Sequence, residues 1–179
     1  MNEKGIKELA VKEGFLFAEI TDTENFVFDF SFRRYCEENL CGLFGKNFSC
    51  PPSCGEPEEL KQRVLKHKKA LVLCTQWEIS DLNESEKLNR ARNFHNAAMI
   101  RLIKKLKASG RDGFMIGSGA CTLCKPCKAV ITNICPHPEM RYSCMSAYCI
   151  NVKRLAEDCK MDYDYKNGIL PFFGVYIFD

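Results

Sequence analysis

Eight of the twelve cysteines in this 179-residue chain fall in two short segments, and no other feature constrains the sequence as much. The first segment reads Cys36-x4-Cys41-x8-Cys50-Pro-Pro-Ser-Cys54. The second reads Cys121-Thr-Leu-Cys124-Lys-Pro-Cys127, with Cys135-Pro136 after seven intervening residues. An exported chain would pair such cysteines as disulfides. The start Met1-Asn-Glu-Lys-Gly carries no basic-then-apolar signal, however, and no 18-residue apolar stretch occurs anywhere. The expectation is therefore a soluble, cytoplasmic protein with no membrane association. In a reducing compartment this cysteine density points to metal or redox chemistry.

Only three histidines are present, His67, His95 and His137, so any metal site must be rich in thiolate. Thiolates are soft ligands that select iron–sulfur clusters, zinc or Cu(I) over magnesium or calcium. The three cysteines of C-x2-C-x2-C sit on one tight loop and suit three corners of a cuboidal cluster. A more distant Cys-Pro is their usual companion in ferredoxin-type runs. Seven residues rather than three precede Cys135, which leaves open whether it completes the same cluster. Zinc is the competing reading, although zinc is more often gripped by two separated C-x2-C pairs. Gly117 and Gly119 either bring backbone N–H groups toward the sulfurs or simply turn the chain out of a strand.

In the first segment Gly42 and Gly45 bend the chain, while Arg33, Arg34 and Lys46 surround it with positive charge. Cys54 is the least secure of its four thiols. An oxidised [4Fe–4S] centre with four thiolates carries a net 2−, so two of them would take the formal +3 of the chain to about −1. Of the other cysteines, Cys74 reads as core within an apolar strand. Cys149 and Cys159 read as the packed face of a helix. Cys144, just before that helix, is a reserve ligand for a cluster that lacks one. His137 reads as a loop residue beside a cluster thiol, His95 as core-edge, and His67 as a cation at a helix C-terminus.

The chain is sized for one domain over 1–179, and 46% hydrophobic residues suffice for a core. A first helix carries Ile6, Leu9 and Ala10 and stops at Gly14. Strands are expected over 15–20 and 26–30, and a helix opening at Pro57 should bury Leu60, Val64 and Leu65. The apolar run 70–77 suits a central strand. A long helix then carries Leu88, Ala91, Phe94, Ala98, Leu102 and Leu106, capped by Asn83 with Glu86 and closed by Gly110. A strand over 113–117, a helix from Met145 to Cys159 and one or two strands over 169–178 complete the chain. The fold class is α/β, a mixed α+β sandwich with two cysteine-rich loops projecting from it.

With Lys+Arg 26 against Asp+Glu 23 and no single-sign run, nucleic-acid binding is not expected. No triad order, Walker loop or Rossmann fingerprint appears, so side-chain catalysis has no sequence support. The residues Arg34-x-Cys36, Cys41, Gly45-Lys46, Cys50-Pro-Pro, Gly119-x-Cys121-x2-Cys124-x2-Cys127 and Cys135-x-His-Pro together form a pattern. In this the chain resembles the domain of unknown function 2284 (DUF2284) family of predicted metal-binding proteins. The resemblance extends through Arg141-Tyr-Ser and Ile150-Asn-Val, and implies that Cys36, Cys41, Cys50, Cys121, Cys124, Cys127 and Cys135 are shared thiols. Cys54 matches less securely, and Cys149 stands where a glycine is expected.

The leading expectation is one or two [4Fe–4S] clusters held by Cys36, Cys41, Cys50 and Cys54 and by Cys121, Cys124, Cys127 and Cys135. They would serve an electron-transfer or redox module of anaerobic metabolism that works with a redox partner protein. The alternatives are a zinc or Cu(I) binding or trafficking protein, and an enzyme using the open iron of a three-Cys cluster.

Overall fold

The apolar run from Ala70 forms the centre of the structure. In the computed structural model, which describes Met1–Asp179, it becomes β2 (Lys69–Glu78). The other strands are β1 (Phe17–Asp22), β3 (Gly113–Gly117), β4 (Ser143–Cys144) and β5 (Ile169–Phe178). They make one sheet in the order β1-β2-β5-β3-β4, antiparallel except for the β3–β4 pair. Alternate side chains of a strand point to opposite faces. Ala70, Val72 and Cys74 accordingly enter one core with Phe173, Val175 and Ile177, while Leu71 and Leu73 enter a second with Tyr176 and Phe178.

Each core is closed by helices. On the second face lie α1 (Glu3–Lys12), through Ile6 and Ala10, and the long α4 (Ser85–Ala108), through Ala98, Met99, Leu102, Ile103 and Leu106. On the first lie α3 (Pro57–Leu65), through Leu60 and Val64, and α6 (Val152–Asp158), through Leu155 and Ala156. Each of the leucine, isoleucine, valine and methionine burials is worth about 1.5–3 kcal/mol. Two short helices, α2 (Arg34–Glu37) and α5 (Lys128–Thr132), belong to the cysteine segments. The architecture is thus the expected mixed α+β class, with helices on both faces of one sheet. The close approach of α4 requires Gly174, where a Cβ would lie 2.1 Å from Met99 Sδ.

Local expectations fail where polar side chains or positive φ intervene. No strand forms over 26–30, where a single bridge pairs Phe28 with Ile150. Asp29 Oδ1 accepts from the Ser31 N–H at 3.0 Å and starts a 3-10 turn over Phe30–Arg33. Asn83 does not cap α4, because Asp81 Oδ1 accepts from its N–H and its side chain, and the helix begins at Ser85. Leu65 and Phe94 are 38% and 46% exposed rather than buried, Phe94 lying edge-on to Trp77. The helix expected over 145–159 shrinks to α6, because Cys149 takes φ +55° and breaks it. His95, expected at the core edge, is fully buried.

Candidate metal centre

The C-terminal ends of β3 and β4, the start of β5 and the first turns of α4 meet at one end of the sheet, where both cysteine segments gather. The first segment is folded by its own polar groups. Asn39 Oδ1 accepts from the Phe44 N–H at 2.9 Å, and the Gly45 N–H donates to the Pro51 carbonyl at 2.9 Å. Gly42 and Gly45 adopt φ +70° and +67°, which only glycine takes without strain. Buried Arg33 donates to the carbonyls of Gly55 (2.7 Å) and Ala147 (3.0 Å), tying this segment to the turn after β4.

That tie brings Cys144 to the first group. The proximity of the Cys36 and Cys144 thiols pushes Cys36 up and, with the N–H groups of Ala147 and Ser146, lowers Cys144. The Ala147 N–H lies 3.4 Å from Cys144 Sγ. Cys36, Cys41, Cys50 and Cys144 line one cleft of about 830 Å³. Cys50 is pushed up to about 12, first by burial and then by the thiols of Cys144, Cys41, Cys54 and Cys121. Cys54 does not line the cleft; its Sγ accepts from Arg33 Nη1 at 3.7 Å. Burial raises the Cys54 thiol, and the Arg33 guanidinium opposes the rise.

The second group is local. Cys121, Cys124, Cys127 and Cys135 line one small cavity together with Phe48, Ser49, His137 and Arg141. Burial raises Cys121, while N–H donors from Leu123 and Tyr142 and the Ser49 hydroxyl oppose the rise. Asn96 on α4 holds the approach from β3, donating to the Ser118 carbonyl at 2.7 Å and accepting from its N–H at 3.0 Å. Buried Tyr142 accepts from the Thr122 N–H at 3.1 Å. Gly117 lies against that ring, where a Cβ would come within 2.6 Å. Gly119, at φ +82°, turns the chain and lies against Arg92.

The two groups are joined through Asn47–Cys50. Asn47 Nδ2 donates to the Cys121 carbonyl at 2.9 Å, and the Phe48 N–H donates to Cys127 Sγ at 3.4 Å. Arg141 covers the Phe48 ring at 5.0 Å. No three His, Cys, Asp or Glu side chains converge tightly enough to hold a single metal ion. Cys74 is buried in β2, and Cys149 and Cys159 are buried around α6; none lines either cavity. His137 is exposed at the second cavity, and His67 pairs with Asp179 at 2.9 Å.

A family model described as predicted metal-binding protein (DUF2284) matches residues 19–178. The chain belongs to the DUF2284 family. The match spans both cysteine segments and strands β2 to β5, and takes in β1 from Glu19, so both thiol groups of this DUF2284 protein lie inside it. No curated protein and no solved structure matches the chain. Asn47, Asn96 and Arg92 carry no spacing signal that would mark them in a sequence. Cys144 was visible only as a reserve, because its partner Cys36 is reached through Arg33 and the β3–β4 pairing rather than through sequence proximity.

Proposed function

We propose that this DUF2284 protein holds two [4Fe–4S] clusters and works as a cytoplasmic electron-transfer or redox module of anaerobic metabolism, serving a partner protein. Cys121, Cys124, Cys127 and Cys135 would hold one cluster. Cys36, Cys41, Cys50 and Cys144 would hold the other, with Cys144 taking the place first assigned to Cys54. The observation that carries the reading is the donor set: two groups of four thiols, each around its own cavity.

Three thiols at C-x2-C-x2-C on one tight loop, Cys121, Cys124 and Cys127, support a cluster over a lone zinc, which is more often gripped by two separated C-x2-C pairs. With Zn–S near 2.3 Å, the thiolates of a zinc site stand about 3.8 Å apart. A cuboidal cluster puts its own iron and sulfide atoms between its ligands, so its thiolates are spread wider. When bound, such clusters supply one-electron transfer over potentials of roughly −700 to +450 mV, set by their surroundings.

The chain's own residues do the tuning. The N–H groups of Phe48 and Ala147 donate to Cys127 and Cys144, which stabilises negative charge on sulfur. Arg33 and Arg141 place cations beside the two groups. Asn47 and Phe48, just before Cys50, bond to the Cys121 carbonyl and to Cys127 Sγ, so one loop links the two groups.

Anaerobic purification with iron, acid-labile sulfide and zinc analysis tests the proposal. About eight iron and eight sulfide per chain in a brown sample that reductant bleaches reversibly is the expected result. Stoichiometric zinc without sulfide, in a colourless sample, would overturn it.

A further inference from the structure

The cleft at the first thiol group is larger than a metal centre needs. At about 830 Å³ it falls within the roughly 300–1,000 Å³ of small-molecule sites. It also runs on past the thiols, along the start of β5 and the first turns of α4, to Leu170 and Tyr163. Its walls are mostly apolar. Tyr35, Phe44, Tyr163 and Phe173 supply aromatic surface, with the Tyr163 and Phe173 rings stacked 6.0 Å apart.

Arg92 is the one charged residue lining the cleft, and no carboxylate faces it there. Its Nη1 donates to Asn89 Oδ1 at 2.9 Å, which aims the side chain, and it makes no ion pair with the protein. Gly119 provides its bed, since a Cβ there would lie 2.7 Å from Arg92 Cδ. A guanidinium presents a planar fork of N–H donors matched to a carboxylate. Ser85, Ser118 and Ser146 add hydroxyls to the same lining, and none of the three has a protein hydrogen-bond partner for its side chain.

We infer that this cleft binds an organic monocarboxylate with an apolar body, its carboxylate on Arg92 and its body along the aromatic wall toward the first thiol group. The inference stands on the cleft and its charge and does not depend on which metal the thiols hold. It makes the first centre a place where a small molecule sits beside the metal.

The test is calorimetric titration of the purified protein, under anaerobic conditions, with phenylacetate, octanoate and their neutral amides. Metal and sulfide are measured on the same samples. Saturable binding of at least one acid is expected, with its amide binding roughly tenfold or more weakly. Arg92→Gln should reduce acid binding by a similar factor while metal content and thermal unfolding stay unchanged. Leu88→Trp keeps the charge but fills the cleft, and should abolish binding. The inference is overturned if no acid binds saturably, if the amides bind as tightly, or if either variant binds like the wild type. It is also overturned if Arg92→Gln loses metal along with binding, because Arg92 would then be a counter-charge to the centre. A zinc-loaded sample that binds the acid would sink the cluster reading alone, and an iron–sulfur sample that binds none would sink this inference alone.

Discussion

The backbone N–H of Phe48 donates to the Sγ of Cys127, 79 residues on in the chain, at 3.4 Å and so joins the two cysteine segments. With Asn47 bonded to the Cys121 carbonyl at 2.9 Å, it makes the loop before Cys50 a floor shared by both thiol groups. Disturbing one group should therefore be felt at the other.

Asn47→Ala tests that coupling. Asn47 is buried, donates to Cys121 and accepts from the Ser49 N–H at 3.0 Å. Its loss leaves a buried carbonyl and an N–H without partners, at a cost of about 1–3 kcal/mol. Metal analysis should show reduced occupancy at both groups. Loss confined to one group would mean that the two are independent.

Cys144→Ala should remove metal from the first group as completely as Cys36→Ala does, because the two thiols line the same cleft beside each other. Cys54→Ala should retain that metal, since Cys54 lies on Arg33 outside the cleft. Cys74→Ala, in the core of β2, should retain all of it. Iron and sulfide per chain read out each variant, and the reverse pattern for Cys54 and Cys144 would return the fourth position to Cys54.

His95 makes stability depend on pH. It is fully buried, and burial lowers its pKa from 6.5 to about 3. Trp77 Nε1–H donates to Thr75 Oγ1, and His95 Nδ1 shares a hydrogen bond with the same hydroxyl at 2.9 Å. Nε2 has no partner. Between pH 6.5 and 3 the unfolded chain takes up a proton that the folded chain refuses. This contribution is therefore fully present above pH 6.5 and is lost as pH falls, by about 1.4 kcal/mol per pH unit. Urea unfolding at pH 7 and pH 5 should differ by about 2 kcal/mol more in the wild type than in His95→Gln. Equal differences would remove His95 as the cause.

Gly113→Ala probes the sheet rather than the site. A Cβ at Gly113 would lie 2.0 Å from the Ile177 carbonyl oxygen on the neighbouring strand, and backbone cannot swing away as a flexible side chain does. A loss of about 2–3 kcal/mol in urea unfolding is expected from forcing β3 off β5. A change below about 0.5 kcal/mol would show that β3 shifts freely.

Much of this was legible before any coordinates. The apolar run of β2, the helical period of α4 and the glycines at Gly14 and Gly110 all mark their elements, because each is a local pattern with a local cause. The grouping of Cys121, Cys124, Cys127 and Cys135 is of the same kind, since a short loop leaves its thiols nowhere else to go. The expectation of glycine where Cys149 stands also has its cause: the backbone there is left-handed, at φ +55°.

What the sequence by itself determined is the chemistry, through the number and softness of the thiols and the spacing within each segment. Only the tertiary structure decided which thiols share a cavity. Cys144 reaches Cys36 because β4 pairs with β3 and Arg33 ties the turn after β4 to the first segment. Arg92 faces the first thiol group because α4 packs on β5 at Gly174 and leaves room at Gly119. Such meetings depend on sheet order and on hydrogen bonds between residues far apart in the chain. No spacing within one segment encodes them, because spacing reports only what a short stretch of backbone can bring together.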